Sequence, residues 1–370
     1  MSKVLITGGA GFIGGHVADE LLTKGYRVSI LDALDRQVHE NGSFPDYLND
    51  EVERIQADVR DSGAVARALR GVQGVIHLAA AVGVGQSMYQ LHKYVDINAR
   101  GTAVLLEALN ERPVERLVVA SSMSVYGEGA YRNESGALLH PQGREREQLA
   151  RHEWELKGTN GETLAAVATP EQIVPQPTSP YALTKYDQEL LCLMFGSAYS
   201  LPTVALRLFN VYGPRQALSN PYTGVMAIFA CRLLNGSAPI IYEDGAQLRD
   251  FVNVRDVARA FRLALEQTNV SNCAINIGSG NAVSIEQIAR SLADVLGKPE
   301  LEPQFEGKYR FGDVRHCFAD ISRATATLGY RPEVSFESGV EELAGWLSRQ
   351  QAVDRAPFAA AELSSRGLTL

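Results

Sequence analysis

Short apolar runs alternate with helix-period stretches through the first half of the chain. Segments 4–7, 28–31, 52–57, 75–79, 116–120 and 203–209 are rich in Val, Ile and Leu and lack polar alternation. That pattern predicts strands buried on both faces. Between them, 17–24, 63–69, 104–110 and 182–198 repeat apolar residues at helical spacing. The alternation predicts an α/β fold built on a doubly wound parallel sheet. After Asn210 the rhythm breaks. Helices are predicted over 225–234, 257–266 and 285–296 between Gly- and Pro-rich loops, with Ser284 and Gln287 spaced as a capping box. The chain therefore divides into a sheet domain over 1–209, a smaller mixed α/β lobe built mainly from 210–349, and a tail over 350–370.

Two stretches stand apart. Residues 131–177 are polar, bear Gly and Glu, and end in Pro175-Gln176-Pro177. They are too long for a simple connection, so they form either a functional insertion or a partly disordered one. The tail has weak helical periodicity and either docks or frays.

Composition narrows the function classes. The 370 residues are 45% hydrophobic and 21% charged, an ordinary globular profile. A net charge of −8 without a run of Lys and Arg argues against a nucleic-acid partner, while leaving room for a basic pocket that takes a diphosphate. No segment reads as a signal peptide or membrane span, so no membrane partner is expected and the cytoplasm is the expected location. Cys192, Cys231, Cys273 and Cys317 are far apart and make no Cys-x-x-Cys pair. Neither a metal site nor a disulfide framework is expected.

The first candidate chemistry is a phosphate loop. Thr7-Gly8-Gly9-Ala10-Gly11-Phe12-Ile13-Gly14 follows the first strand and opens the first helix, with Gly8, Gly11 and Gly14 spaced as Gly-x-x-Gly-x-x-Gly. Such a turn lets backbone approach a pyrophosphate, and the helix N-terminus offers free N–H groups to it. Asp32 ends the second strand, where a carboxylate can accept both hydroxyls of an adenosine ribose. No Arg follows it directly, and Arg36 is four residues on, which favours NAD over NADP. Asp58, after the third strand, either faces the adenine or caps a helix.

The second is catalytic. Tyr181 and Lys185 in Ser179-Pro180-Tyr181-Ala182-Leu183-Thr184-Lys185 are four apart, on one face of a helix. A phenol of pKa ~10 is a poor base at neutral pH, and a neighbouring ammonium would favour the phenolate. Ser122, in Ser121-Ser122-Met123-Ser124-Val125-Tyr126-Gly127, follows a buried strand at the sheet's carboxyl end, where ligands sit.

These motifs together resemble the extended short-chain dehydrogenase/reductase family of NAD-dependent nucleotide-sugar epimerases and dehydratases, over essentially the whole chain. The resemblance implies a Rossmann-type domain that binds NAD, a lobe that binds the nucleotide sugar, and a homodimer. It implies Ser122, Tyr181 and Lys185 as the catalytic set. It carries the cofactor over to Gly8, Gly11, Phe12, Ile13, Gly14, Asp32, Asp58, Val59, Ser121, Tyr181 and Lys185. Val75-Ile76-His77-Leu78-Ala79-Ala80 resembles the strand beside NAD, implying Leu78, Ala79 and Ala80, and Asn98 resembles the Asn of the following helix. On the substrate side, Asn210 follows the Arg207-Leu208-Phe209 run and resembles a diphosphate contact. Arg249 and Arg310 resemble the diphosphate arginines, and Asp313 a residue near the nucleoside ribose. Ser122, Ser124, Tyr181, Thr223 and Val225 complete that wall.

The residues between the catalytic hydroxyl and Val-Tyr-Gly sort the family's reactions. Dehydratases, decarboxylases and 3,5-epimerases resembling this chain carry an acid or a Cys there, whereas this chain has Met123 and Ser124. The resemblance therefore implies C4 epimerisation through a 4-keto sugar. A 4-keto-sugar reductase or dehydrogenase of the same fold, and a non-catalytic NAD-binding sensor, are the alternatives. The 131–177 insertion and the closing Arg366-Gly367-Leu368 resemble 4-epimerases of the dTDP-L-rhamnose type, with UDP-hexoses the second choice. That subgroup's insertion carries Cys pairs, whereas here Asn133 and Gly158-Thr159-Asn160-Gly161 stand in the corresponding stretch. Cys317 falls where the family places a residue gating sugar size. It either leaves room in the sugar pocket or is a core cysteine.

Overall fold

The computed structural model describes residues 2–218, 220, 222, 224–351 and 353–369. Seven strands form one sheet: β1 (Lys3–Thr7), β2 (Arg27–Asp32), β3 (Glu53–Gln56), β4 (Gly74–His77), β5 (Arg116–Ser122), β6 (Thr203–Leu208) and β7 (Cys273–Ile277). Their order is β7-β6-β5-β4-β1-β2-β3, and every pairing is parallel. The chain changes direction across the sheet between β1 and β4, and a crevice opens at the carboxyl ends of such a pair.

The sheet is covered by α1 (Phe12–Thr23), α2 (Ser62–Ala68), α3 (Gly101–Glu111) and α4 (Pro180–Ala198), joined later in the chain by the helix Val254–Glu266. Val4, Ile6, Val118 and Ala120 pack on one face with Val17, Ala18 and Leu21 of α1. Leu5, Leu117 and Val119 pack on the other with Val65, Leu105 and Cys192. Successive residues of β1 and β5 thus enter opposite cores, which is why these strands show no polar alternation. β3, by contrast, ends the sheet and exposes Glu53, Arg54 and Gln56, which corrects the expectation of burial on both faces there.

The lobe contains α5 (Val225–Leu234) and α7 (Ile285–Val295), which pack with the helix Phe336–Leu347 through Phe229, Leu233, Ile288, Leu292 and Leu343. Ser284 caps α7 in a reciprocal box with Gln287, as the spacing predicts. The division at residue 209, however, does not follow the sheet. Helix α6 (Val254–Glu266) packs through Val257, Ala260 and Phe261 into the core that holds α1, and β7 extends the sheet beside β6. β7 is missing from the predicted strands because Asn276 interrupts its apolar run. That carboxamide is satisfied at a distance, accepting from Tyr126 Oη at 2.8 Å and donating to Thr169 O at 2.8 Å.

The insertion is structured. Ala130–Arg132 pairs antiparallel with Leu138–Leu139 and Ala165–Val167, over a small core of Tyr131, Leu156 and Leu164. Gly158 and Gly161 close a backbone hairpin, Gly158 N donating to Glu162 O at 2.8 Å. The tail docks: its helix Ala356–Ser365 buries Leu363, and Phe311 N donates to Leu368 O at 3.0 Å.

Candidate active site

The crevice is part of a continuous cavity of about 1370 Å³ between sheet domain, lobe and tail. Sites for a single drug-sized ligand run to roughly 300–1,000 Å³, so this one has room for two large ligands side by side.

Its floor is the turn from β1 to α1. Gly8 has φ of 70°, and a Cβ there would lie 2.8 Å from Ala79 N. A Cβ on Gly14 would lie 2.5 Å from Gly8 O, so backbone packing excludes side chains at both positions. Gly11 caps α1 without a side-chain bond, which leaves the first-turn N–H groups facing the cavity. Phe12 and Ile13 complete this stretch of wall. Asp32 sits at the end of β2 on the same wall; its Oδ2 accepts from Ala10 N at 3.0 Å and its Oδ1 from Leu34 N at 2.9 Å.

Asp58 also lines the cavity, but its carboxylate is held by Arg60, with Arg60 Nε at 2.8 Å. That guanidinium holds the carboxyl below the usual range. Asp61, not Asp58, caps α2. Val59, Leu78, Ala79, Ala80 and Ser121 line the cavity as well, although the Ser121 hydroxyl donates to Glu189 at 2.6 Å. Asn98 does not reach the cavity wall. It lies buried in the π-helical turn Val95–Arg100, bonds both N and O of Ala81, and donates to Thr184 Oγ1 at 2.9 Å. Its influence on the cavity runs through the backbone it holds.

Ser122, Tyr181 and Lys185 meet on this wall. Ser179 caps α4 by accepting from Ala182 N at 3.1 Å, and Pro180 follows in the first turn, so Tyr181 and Lys185 stand one turn apart. Ser122 Oγ accepts from Ser124 Oγ at 2.9 Å. Burial pushes the Tyr181 phenol up, and its hydrogen bond with Ser122 opposes that. Burial pushes the Lys185 amine down to about 8. Met123 and Ser124 line the cavity, and the wall segments 120–124 and 178–185 contribute no carboxylate or thiol to it.

The lobe supplies the opposite wall. Asn210 lies there with its Oδ1 buried and unpartnered. Arg249 donates to three backbone carbonyls, those of Leu248, Arg315 and Val314, at 2.8, 2.9 and 2.5 Å. Arg310 pairs with Asp313 at 2.9 Å and stacks over the Tyr242 ring at 5.0 Å. Val225 lines the same wall, and Thr223 lies outside the described residues.

Cys317 is not on the cavity wall, which corrects the gating expectation. The strand His316–Cys317 pairs with Leu248–Arg249 and sends Cys317 into a core of Val125, Tyr126, Ala130, Phe209 and Ala319. Its Sγ meets Thr169 Oγ1 at 3.9 Å, and burial pushes the thiol up to about 12.

This arrangement agrees with comparison to known proteins. The sequence model described as the NAD dependent epimerase/dehydratase family matches residues 4–148 and 158–278. The chain belongs to that family. A dTDP-L-rhamnose 4-epimerase of Burkholderia thailandensis is 38% identical, covering 94% of this chain and 95% of its own. A UDP-glucose 4-epimerase of Thermotoga maritima, solved with UDP-glucose, superposes with a TM-score of 0.77 at 31% identity, covering 94% of this chain and 99% of its own. A UDP-glucuronic acid 4-epimerase of Bacillus cereus, solved with UDP-glucuronic acid and NAD, gives 0.77 at 29% identity over the same shares.

For this epimerase/dehydratase family member the residues present fit the cofactor. Gly8 and Gly14 let the turn pack backbone against backbone, and Gly11 leaves the first-turn N–H groups of α1 open to the cavity. Asp32 is fixed at the end of β2 on the same wall, where a carboxylate can accept ribose hydroxyls. Arg60, a guanidinium on that part of the wall, is already paired with both Asp58 and Asp96, which leaves it unsuited to a 2′-phosphate. Sequence reasoning missed Tyr47, whose hydroxyl donates to Ala10 O at 2.7 Å and braces the Gly-rich turn, and Arg215, which stacks on Tyr47 at 4.8 Å. Neither carries a local signal. It also missed Gln188, one turn beyond Lys185, whose spacing could have revealed it.

Proposed function

We infer that the protein is an NAD-dependent 4-epimerase of a nucleotide-linked sugar. One observation carries the reading: Ser122, Tyr181 and Lys185 meet at the sheet's carboxyl edge with Met123 and Ser124 beside them. Such a site can take a proton from a sugar hydroxyl and return it, and the wall segments 120–124 and 178–185 offer no second acid or base for dehydration or ring-carbon deprotonation.

In this mechanism Tyr181 accepts the proton of the C4 hydroxyl while Ser122 orients that oxygen. The Lys185 ammonium favours the phenolate against the opposing effect of burial. Held by the Gly-rich turn from Gly8 to Gly14 and by Asp32, NAD would supply the acceptor and donor of the C4 hydride. Turning of the keto sugar within the cleft presents the other face of C4 to the returning hydride, and Tyr181 gives the proton back to O4. Asn210, Arg249 and Arg310 face the diphosphate with charge suited to it, Arg310 exchanging Asp313, and Arg249 the carbonyls of Leu248, Val314 and Arg315, for phosphate oxygens. Residues 210–349 supply most of that substrate lobe.

For the sugar we propose a dTDP-linked 6-deoxyhexose. The structured 131–177 insertion and the full-length similarity to the Burkholderia protein support it. UDP-hexoses are the second reading, supported by the UDP-glucose bound in the Thermotoga neighbour. Incubation with UDP-, dTDP-, GDP- and CDP-sugars, with products read by NMR, tests both readings. Formation of a C4 epimer is expected, and net NADH release without an epimer would overturn the assignment in favour of a dehydrogenase.

A homodimer is part of the proposal. Leu183, Leu190 and Met194 are exposed along α4, beside exposed Leu91 and Val95. Apolar side chains clustered in this way suit a self-complementary helical interface. The four cysteines are free thiols, which supports a reducing, cytoplasmic location.

A further inference from the structure

Behind Lys185 runs a buried polar chain that no step above uses. Lys185 Nζ donates to Gln188 Oε1 at 2.7 Å. Gln188 Nε2 donates in turn to Thr102 Oγ1 at 2.8 Å and to Ala79 O at 3.3 Å. Thr102 gives its own proton to Asn98 O at 2.7 Å, so its oxygen is left to accept from Gln188 and from His77 Nε2, the latter at 2.9 Å. With Nε2 protonated in this way, His77 Nδ1 is left to accept from the Thr7 hydroxyl at 2.6 Å, and Nε2 also lies 3.2 Å from Gln188 Nε2. Lys185, Gln188, Thr102 and His77 are all buried.

These bonds fix the orientation of the carboxamide. A flipped Gln188 would set its oxygen against Ala79 O, an acceptor, and its NH₂ against the Lys185 ammonium, a donor. We propose that Gln188 is a positioning residue that presents a fixed oxygen to Lys185, holding that amine charged and in place beside Tyr181. The inference rests on the catalytic role of Lys185 argued above.

The surroundings leave this task to a neutral acceptor. From its own helix Lys185 is faced by Glu189 and Cys192, with Tyr181 one turn before it, and from β4 by His77. Tyr94, from the short helix Leu91–Tyr94, packs edge-on against Tyr181. Cys192 and His77 are uncharged near neutrality, burial pushing the first up to about 12 and the second down to about 3. Glu189 is paired with Arg207 at 2.6 Å.

The test compares native protein with Gln188→Leu and Gln188→Glu. The first readout is kcat against pH for each holoenzyme. The second is an NMR titration of the ε-¹³C-labelled Lys185 side chain, assigned with Lys185→Arg and recorded with and without NAD. Thermal melts confirm that each variant folds. Gln188→Leu removes the acceptor and is expected to lower the alkaline limb and the Lys185 midpoint by about one pH unit. Gln188→Glu places an anion there and is expected to raise both. If the Leu variant does not fold, the nearly isosteric Glu variant carries the test. A folded Glu variant whose midpoint stays at the native value, or midpoints that move the same way in both variants, would overturn the proposal. If none of these proteins epimerises any sugar, the proposed function fails, while the NMR midpoint still decides the role of Gln188.

Discussion

Glu243 of the lobe lies 2.8 Å from Arg144 of the insertion, and both side chains are buried. Glu243 also pairs with Arg315 at 3.0 Å, and its backbone is left-handed, with φ of 57°. A non-Gly residue in that region costs roughly 1–2 kcal/mol. Removing one partner of a buried ion pair costs about 3–5 kcal/mol. The second effect is larger, so Glu243→Gly should destabilise the protein even though it relieves the backbone, chiefly by stranding Arg144. Urea unfolding should show a lower midpoint at unchanged slope, and a variant as stable as native would refute the anchoring role.

The same cluster makes stability depend on acid. Glu155 is held down to about 2 by His316 and then Arg315, from an ordinary value of 4.5. Its folded-state pKa is depressed, so its contribution is complete above the unfolded value and is lost as pH falls from about 4.5 toward 2. Glu155→Gln should therefore flatten the melting temperature against pH within that window and leave its slope near neutrality unchanged.

Asp32 should decide cofactor retention. Purified protein is expected to carry NAD(H), identified by mass spectrometry, with NADP as the contrary result. A hydrogen bond to a charged group contributes about 1.5–3 kcal/mol, so Asp32→Ala should weaken NAD by about 10- to 100-fold in calorimetry.

Tyr181 and Ser122 separate mechanism from binding. A substrate deuterated at C4 should keep its label in product formed in ordinary water, whereas exchange at a carbon beside a carbonyl would wash it out. Tyr181→Phe should lower kcat far more than it raises KM, and Ser122→Ala should follow with a smaller loss. A fully active Tyr181→Phe would remove the phenol from the mechanism.

Cys317 offers a contrast. In its dense core, Cys317→Tyr should cost roughly 1–3 kcal/mol through overpacking, while the folded fraction keeps native sugar selectivity. Altered selectivity at an unchanged melting temperature would return Cys317 to the sugar pocket.

The amino-acid sequence alone determined what local chemistry encodes. Apolar runs marked β1, β2, β4, β5 and β6, since strands buried on both faces need no knowledge of their neighbours to be recognised, whereas β3 is a largely exposed edge strand. Gly8 and Gly14 marked the tight turn, and the spacing of Tyr181 and Lys185 marked one helix face. Tertiary structure decided whatever depends on partners far away in the chain. β7 is a strand although Asn276 interrupts it, because Tyr126 and Thr169 satisfy that side chain across the fold. Asn98 serves the backbone of Ala81 instead of the cavity, and Cys317 turns into a core that its position after Arg310 and Asp313 does not reveal. Gln188 gains its meaning only where Ala79 and Thr102 close around its carboxamide. Helical or strand period is a property of neighbouring residues, whereas a buried polar group is defined by the partners that folding brings to it.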